Sequence, residues 1–426
     1  MRDWSSRFAK RAIRITASEI RELLKLLARP GIISFAGGIP DPRLFPREII
    51  AEAYARILGE PSTASTALQY GISEGYPPLR EWLAGYMAGL GVACGPEQIL
   101  ITNGSQQALD FLAKLFLDPG DRVLAARPTY LGALQAFSAY EADYGMLPEA
   151  GGASERSAKL AYLMPDYANP SGRTLTLEER EAVLATATAL DLPVIEDAAY
   201  EQLYYDREPL PPLLALGSTA AGLDGGRVIY CGTFSKTVVP GLRIGWIVAP
   251  RPVIEKLVLI KQAGDLHTSG LNQMAMLAVA KEIVPGHAGE IRAAYRERRD
   301  AMLAALERHM PAGVTWSRPG GGMFLWLTLP GNVDAAVLLE RAIDDADVAF
   351  VPGAAFFPDR SARNTLRLSF SLNPPAEIEA GISRLAQVIS ELLVEGPVPD
   401  AALGVDKGHV LSLAEVELGG DGARAG

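Results

Sequence analysis

Val228-Ile229-Tyr230-Cys231-Gly232-Thr233-Phe234-Ser235-Lys236 reads as a β-strand that runs out through two hydroxyl-bearing residues into a lysine, with Arg243 seven residues further on. In α/β proteins, ligands collect beyond the carboxyl ends of strands. Lys236 is therefore a candidate amine for trapping an aldehyde, and Arg243 a candidate for an adjoining phosphate. By itself a loop lysine is more often a solvated surface group. The weight of this reading comes from what surrounds it.

On both sides of that strand, from about Ile49 to Lys281, helical patterns alternate with short β-rich runs. Helices are expected at Ile49–Leu58, Ser105–Leu117, Leu177–Leu190 and Pro252–Gln262. Strands are expected at Ile99–Thr102, Arg122–Ala126, Leu160–Met164, Pro193–Glu196, Arg227–Cys231 and Gly245–Val248. The alternation predicts an α/β domain with a mostly parallel, buried central sheet flanked by helices. After about Glu290 the texture changes. A long helix from Ile291 to Met310 precedes strands at Met323–Leu329, Val348–Val351 and Thr365–Ser371, and a last helix spans Ala376–Leu393. That predicts a smaller α+β domain. The expected division is an amino-terminal segment, 1–48, belonging with the small domain; a large domain, 49–289; a small domain, 290–395; and a tail, 396–426, whose Gly/Asp/Ala-rich sequence lacks periodicity.

The chain has 426 residues, 49% of them hydrophobic and 21% charged, with a net charge of −10. Such a chain can bury more than one core, and its acidic balance offers no attraction to nucleic acid or anionic membrane. The two cysteines, Cys94 and Cys231, are far apart and in no metal-ligand spacing, so neither a disulfide framework nor a metal site is expected. The polar start and the lack of a long apolar run point to a cytoplasmic protein.

The remaining motifs fall in the loops after the expected strands. Glu196-Asp197-Ala198-Ala199-Tyr200 follows Pro193-Val194-Ile195. A carboxylate there can keep a pyridine nitrogen protonated, and a tyrosine can hydrogen-bond the ring phenol; the plain alternative is a helix cap by Asp197. Asn169-Pro170-Ser171-Gly172 is by composition a turn, in which Asn169 can donate to a ring oxygen and a cis Asn169–Pro170 bond would aim it. Thr102-Asn103-Gly104-Ser105-Gln106-Gln107 opens a helix, where free N–H groups and the dipole favour an anion. Tyr130, in Arg127-Pro128-Thr129-Tyr130, can stack on a planar ring or simply fill core. Tyr70 sits in the Gly-flanked loop Tyr70-Gly71-Ile72-Ser73-Glu74-Gly75-Tyr76. Strand alternation puts Arg367 on the face opposite Leu366, Leu368 and Phe370.

Taken in order, from about Ala17 to Leu393, these blocks resemble the class I/II aminotransferases of pyridoxal-5′-phosphate (PLP) fold type I. The resemblance implies PLP as cofactor, with Lys236 as the Schiff-base lysine and general base, Asp197 paired with the pyridine nitrogen, and Asn169 and Tyr200 at the ring phenol oxygen. It implies Tyr130 as the stacking aromatic and Ser105, Gln106, Thr233, Ser235 and Arg243 as phosphate ligands; Thr233 replaces a more usual serine but keeps the hydroxyl. Arg367 matches the clamp for the substrate α-carboxylate, a role suited to a planar guanidinium fork. Tyr70 matches a tyrosine that reaches the partner's phosphate, which implies a homodimer with shared active sites.

The amino-terminal stretch is closest to the 2-aminoadipate/kynurenine aminotransferase branch. Thr16 and Glu19 form a capping box ahead of Ile20, Leu23, Leu24 and Leu27, and Arg21 lies off that apolar stripe. With Ile20-Arg21-Glu22-Leu23-Leu24-Lys25-Leu26 and the loop Ser34-Phe35-Ala36-Gly37-Gly38-Ile39-Pro40, the chain matches a helix and glycine loop that cover the substrate. Arg21 matches an arginine meeting a distal carboxylate, and Gly38 a glycine beside the substrate. The expected reaction is transfer of an amino group from an L-amino acid, 2-aminoadipate favoured, to 2-oxoglutarate. The alternatives are branched-chain, aromatic or kynurenine donors, another PLP reaction such as β-elimination or decarboxylation, and a PLP-binding regulatory domain. The last would carry a DNA-binding module ahead of Arg21, where only a short segment stands, and the negative net charge also speaks against it.

Overall fold

The structure is a computed structural model and describes residues 4–9, 11–12, 31–147, 158–283 and 287–395. The helix expected from Thr16, with Arg21, and the tail from Gly396 lie outside the described residues.

Strand β1 (Ile33–Ser34) comes first. The central sheet then takes β2 (Ile99–Thr102), β3 (Arg122–Ala125), β4 (Asp143–Met146), β5 (Ala158–Leu163), β6 (Val194–Asp197), β7 (Val228–Thr233) and β8 (Gly245–Val248) in the spatial order β2-β8-β7-β6-β5-β3-β4. Every pairing is parallel except those of β8, which runs against both β2 and β7. Edge strand β2 and inner strands β6, β7 and β8 are buried along their whole length, as expected of a sheet covered by helices on both faces. Helix Ser105–Phe116 buries Ala108, Leu109, Phe111, Leu112 and Ala113. Helix Leu177–Leu190 begins where Thr176 and Glu179 form a reciprocal capping box.

The expected α/β alternation is present, with ends shifted by a residue or two at most elements. Five described helices escape it: Pro61–Leu68, Pro77–Gly89, the short Leu213–Leu216, Leu131–Ser138 and Gly270–Ile283. The last two are apolar nearly all round and buried on most sides, so they carry no single stripe to read. Edge strand β4 is short and half exposed.

Beyond it lie β9 (Thr315–Trp316), β10 (Phe324–Thr328), β11 (Val348–Ala349), β12 (Val351–Pro352) and β13 (Thr365–Ser369). The single strand expected at Val348–Val351 is in fact two. β11 pairs with β1, whereas β12 joins an antiparallel sheet of order β12-β13-β10-β9. Pro352 lacks the N–H that would extend a ladder, and the chain switches sheets at the buried Phe350.

The segment after β1 is threaded against this carboxy-terminal part. Asn373 donates to the Ser34 carbonyl (2.9 Å), the Ser371 hydroxyl to the Ile39 carbonyl (2.7 Å), and Arg298 to the buried Asp41 carboxylate (2.6 Å). The loop carrying Asn169 is tied down separately. Arg180 and Asp166, both buried, form an ion pair at 2.5 Å, and Arg180 also donates to the Pro211 carbonyl (3.0 Å). Removing one member of a buried pair strands the other charge. Asp166→Ala should therefore destabilise the fold by about 3 kcal/mol, read as a lowered midpoint in urea unfolding; an unchanged midpoint would deny the pair its anchoring role.

Candidate active site

The carboxyl ends of the parallel strands form one rim, and the expected residues gather there. Asp197 closes β6, Lys236 stands three residues past β7, Asn169 lies in the loop after β5, Tyr130 in the loop after β3, and Ser105 just past β2. Because β8 is antiparallel, its beginning, not its end, reaches this rim: Gly245 pairs with both Thr102 and Thr233. Arg243, directly ahead, is thereby delivered to the helix start at Ser105.

Asp197 is 1% exposed. Its Oδ2 accepts a hydrogen bond from the buried Tyr162 hydroxyl at 2.9 Å, while its Oδ1 is buried with no hydrogen-bond partner. The cap alternative fails, since the chain enters a turn after Asp197 and the next helix is Leu213–Leu216. Burial pushes the Asp197 carboxyl up to about 6, against the lowering effect of the Tyr162 hydrogen bond and of Lys236. Tyr162 was not anticipated. It lies opposite Ile195 on the neighbouring strand, so the two-residue period of β6 sets it on the same face as Asp197; in sequence it is one more apolar strand residue.

Lys236 is partly buried. Its Nζ donates to the Gly38 carbonyl at 3.0 Å and lies 5.9 Å from the centre of the Tyr200 ring. Burial, reinforced by the charges of Arg367 and Arg243, lowers its amine to about 8. Tyr200 is buried beneath it, and burial drives its phenol well up. Asn169 is also buried, and the Asn169–Pro170 bond is cis, as is Arg127–Pro128.

Arg367 is 1% exposed, which rules out a solvent-facing strand arginine. One Nη donates to Asn169 Oδ1 (2.8 Å) and the other to the Ala36 carbonyl (2.6 Å), while Nε is buried without a partner. The guanidinium lies 4.3 Å from the centre of the Phe324 ring and 5.1 Å from that of Phe356. Burial lowers it to about 10, so it keeps its charge at neutral pH. Phe324, also unanticipated, meets Tyr200 edge-on at 5.7 Å and fills the space where a Cβ on Gly38 would stand, 2.5 Å away. Gly38 is thus pinned between this ring and Lys236.

At the other end of the rim, Ser105 and Gln106 open their helix. Gln106 donates to the Gly132 carbonyl (2.8 Å), and the Tyr130 hydroxyl lies 3.5 Å from Gln106 Oε1. The Ser235 N–H donates to Thr233 Oγ1 (3.1 Å), which is 2.9 Å from the Ser235 hydroxyl. Gly104 adopts φ +77°, and a Cβ there would fall 2.4 Å from an Arg243 nitrogen; one on Gly245 would fall 2.9 Å from the Ser105 N–H. Only glycines leave room for this anion cup. Tyr70 stands apart from these groups, 80% exposed, with its ring edge-on to His267.

The chemistry of this set can be tested against PLP. A protonated pyridine nitrogen needs a buried acceptor, which Asp197 Oδ1 supplies; a phosphate needs a helix start and an arginine; an aldehyde needs an amine of lowered basicity. The residues present fit, and with the mostly parallel sheet they define a PLP enzyme of fold type I. The sequence profile of the family "Aminotransferase class I and II" matches residues 39–147 and 161–385, and the chain belongs to that family: it is a PLP-dependent aminotransferase. It is 44% identical over 400 residues to the 2-aminoadipate transaminase of Thermus thermophilus, covering 92% of this chain and 98% of that one. It is 41% identical over 409 residues to aromatic-amino-acid aminotransferase 1 of Thermococcus litoralis, covering 91% and 95%. Among solved structures, the α-aminoadipate aminotransferase of Thermus thermophilus, complexed with N-(5′-phosphopyridoxyl)-L-leucine, superposes with a TM-score of 0.83 at 42% identity, covering 92% of this chain and all of that one.

An amine attacks an aldehyde only when neutral, and a lowered basicity makes Lys236 neutral at lower pH. The rate at which the cofactor-free chain captures pyridoxal should rise with pH through an inflection at about 8 rather than at the ordinary lysine value of 10.5. Arg367→Leu removes one cause of the depression and should move the inflection upward. An inflection near 10.5 in the native chain would contradict the electrostatic account.

Proposed function

We propose that this aminotransferase moves the amino group of a 2-aminoadipate-like L-amino acid to 2-oxoglutarate, using the residues gathered at the rim. The observation that carries the reading is the convergence of Lys236, Asp197 and Arg367, three buried or part-buried charged groups on three different strands or loops, with Arg367 backed by Phe324 and Phe356. Likeness to the 2-aminoadipate transaminase along nearly the whole of both chains supports the choice of donor.

Arg367 holds the α-carboxylate of the incoming amino acid and so presents its α-carbon toward Lys236. Lys236 Nζ takes the α-proton and returns it, acting as general base and then general acid. Bound PLP supplies the electron sink that makes the α-proton removable. Asp197 keeps the ring nitrogen protonated. Asn169 and Tyr200 hold the ring phenol oxygen, and Tyr130 covers the ring face. Ser105, Gln106, Thr233, Ser235 and Arg243 hold the phosphate. Gly38 and its loop exclude water from the substrate side. Arg21, outside the described residues, receives the distal carboxylate.

The same reading extends to assembly. Leu68, Tyr70 and Ile72 are all more than half exposed, and such an apolar run suits burial against a second copy, with Tyr70 reaching the phosphate of the partner. No described helix is long and apolar enough to cross a membrane, in keeping with a cytoplasmic setting. A second donor class is favoured by the likeness to the aromatic-amino-acid aminotransferase.

Lys236→Ala should lower turnover by at least about a hundredfold and abolish the imine absorbance; full activity would exclude it as the base. Asp197→Ala should reduce kcat far more than cofactor retention, and a native kcat would remove its electronic role. A panel of amino donors with 2-oxoglutarate tests the substrate. Arg21→Ala should weaken 2-aminoadipate and glutamate by about tenfold or more relative to leucine or phenylalanine, whereas equal losses across the panel would withdraw the preference for a dicarboxylic donor.

A further inference from the structure

A part-buried ion pair, with a fully buried lysine, lies directly behind the anion cup, among residues with no part in the chemistry above. Lys261, in the last turn of helix Arg251–Gly264, has a side chain with no exposed surface. Its Nζ donates to both carboxylate oxygens of Asp265 and to Gln107 Oε1, each at 3.0 Å. That occupies all three donors of an ammonium group. Asp265 Oδ2 in turn accepts from the Asn103 side-chain amide and from Gln107 Nε2 (2.8 Å). Gln107 Oε1 also accepts from the Asn103 backbone N–H (2.9 Å), and the Asn103 carbonyl accepts from Arg243 (3.2 Å).

We propose that Lys261 and Asp265 are positioning residues for the phosphate-binding turn, acting through Asn103 and Gln107 on Ser105, Gln106 and Arg243. A fully buried ammonium is costly to desolvate and is retained where its geometry matters or its bonds are complete. Here every side-chain bond that leaves the pair ends on Asn103 or Gln107, the two residues that bracket Gly104-Ser105-Gln106. The helix end does not require the pair, since the Asp265 backbone N–H already donates to the Lys261 carbonyl (3.0 Å). The turn also has little freedom of its own, with Arg243 occupying the space beside Gly104 and the Gly104–Ser105 backbone that beside Gly245. A shift at Asn103 would move the Ser105 N–H and the Arg243 guanidinium together. The ion pair thus sets the spacing between two sides of one anion site.

The proposal rests on reading Ser105, Gln106 and Arg243 as phosphate ligands, and the experiment separates the two. Cofactor-free native chain, Lys261→Met and Asp265→Asn are each titrated with PLP and with pyridoxal, which lacks the phosphate, following imine absorbance. The native chain should bind PLP more tightly than pyridoxal. Lys261→Met should raise the Kd for PLP by about tenfold or more while changing that for pyridoxal by less than about threefold, and Asp265→Asn should shift the same ratio in the same direction. A pair that merely stabilised the fold would weaken both ligands alike, and that result, or an unchanged PLP affinity, overturns the proposal. If Lys261→Met does not fold, Asp265→Asn decides by the same ratio. A native chain indifferent to the phosphate would instead remove the ligand assignment beneath it, and the proposal with it.

Discussion

The site depends on the buried carboxylate of Asp197. An ionised acid taken out of water is strongly unfavourable unless it is paired or hydrogen-bonded. The fold satisfies one oxygen with the Tyr162 hydroxyl and leaves the other without a partner, and burial holds the carboxyl at about 6, within reach of the ionised form at neutral pH. Such a group gains most from a fixed cation facing its bare oxygen. A protonated pyridine nitrogen is such a cation, and its binding would relieve a penalty that the fold itself carries.

The rest of the rim follows from how the sheet is wound. Parallel strands all end on the same side, so groups scattered from Ser105 to Lys236 in sequence are brought together by direction alone. The antiparallel strand β8 extends this economy, because its first residues reach the same rim and carry Arg243 with them. The close approach of β8 to the start of helix Ser105–Phe116 demands glycine on both sides, at Gly104 and Gly245. The anion cup is therefore a consequence of backbone packing, with side-chain donors added.

On the substrate side, the positive charges are held by backbone carbonyls of the amino-terminal loop. Gly38 accepts from Lys236 and Ala36 from Arg367, and the same loop is fastened through Ser34, Ile39 and Asp41 to the carboxy-terminal part of the chain. Residues more than three hundred positions apart thus share one wall. Phe324 links them, since its ring touches the space of Gly38, the Arg367 guanidinium and Tyr200 at once.

Much of this was legible in the amino-acid order. Buried strands are written as short β-branched runs, helices as stripes, and the ligand-bearing loops follow the strands, so β2, β8 and helix Leu177–Leu190 fall at their expected bounds. Lys236 and Asp197 could be picked out because a charged group at the end of, or just past, an apolar run is anomalous, whereas Asn169 read by composition as part of a turn and Arg367 stood out only through the family resemblance. Helices buried on most sides left no stripe, and the change of sheet at Phe350 left only a proline as a sign. Tyr162 and Phe324 had no local signature, and the i,i+4 spacing of Lys261 and Asp265 says nothing of the turn they meet, for a hydroxyl, a ring or an ion pair acquires its part only from what is packed against it. Local periodicity by itself determined the fold class, and the ordered motifs, through their resemblance to a known family, named the candidate reacting groups. Which oxygen of Asp197 stays bare, which carbonyls meet Lys236 and Arg367, and what braces the anion cup were decided by tertiary packing, because those contacts join residues that no sequence interval relates.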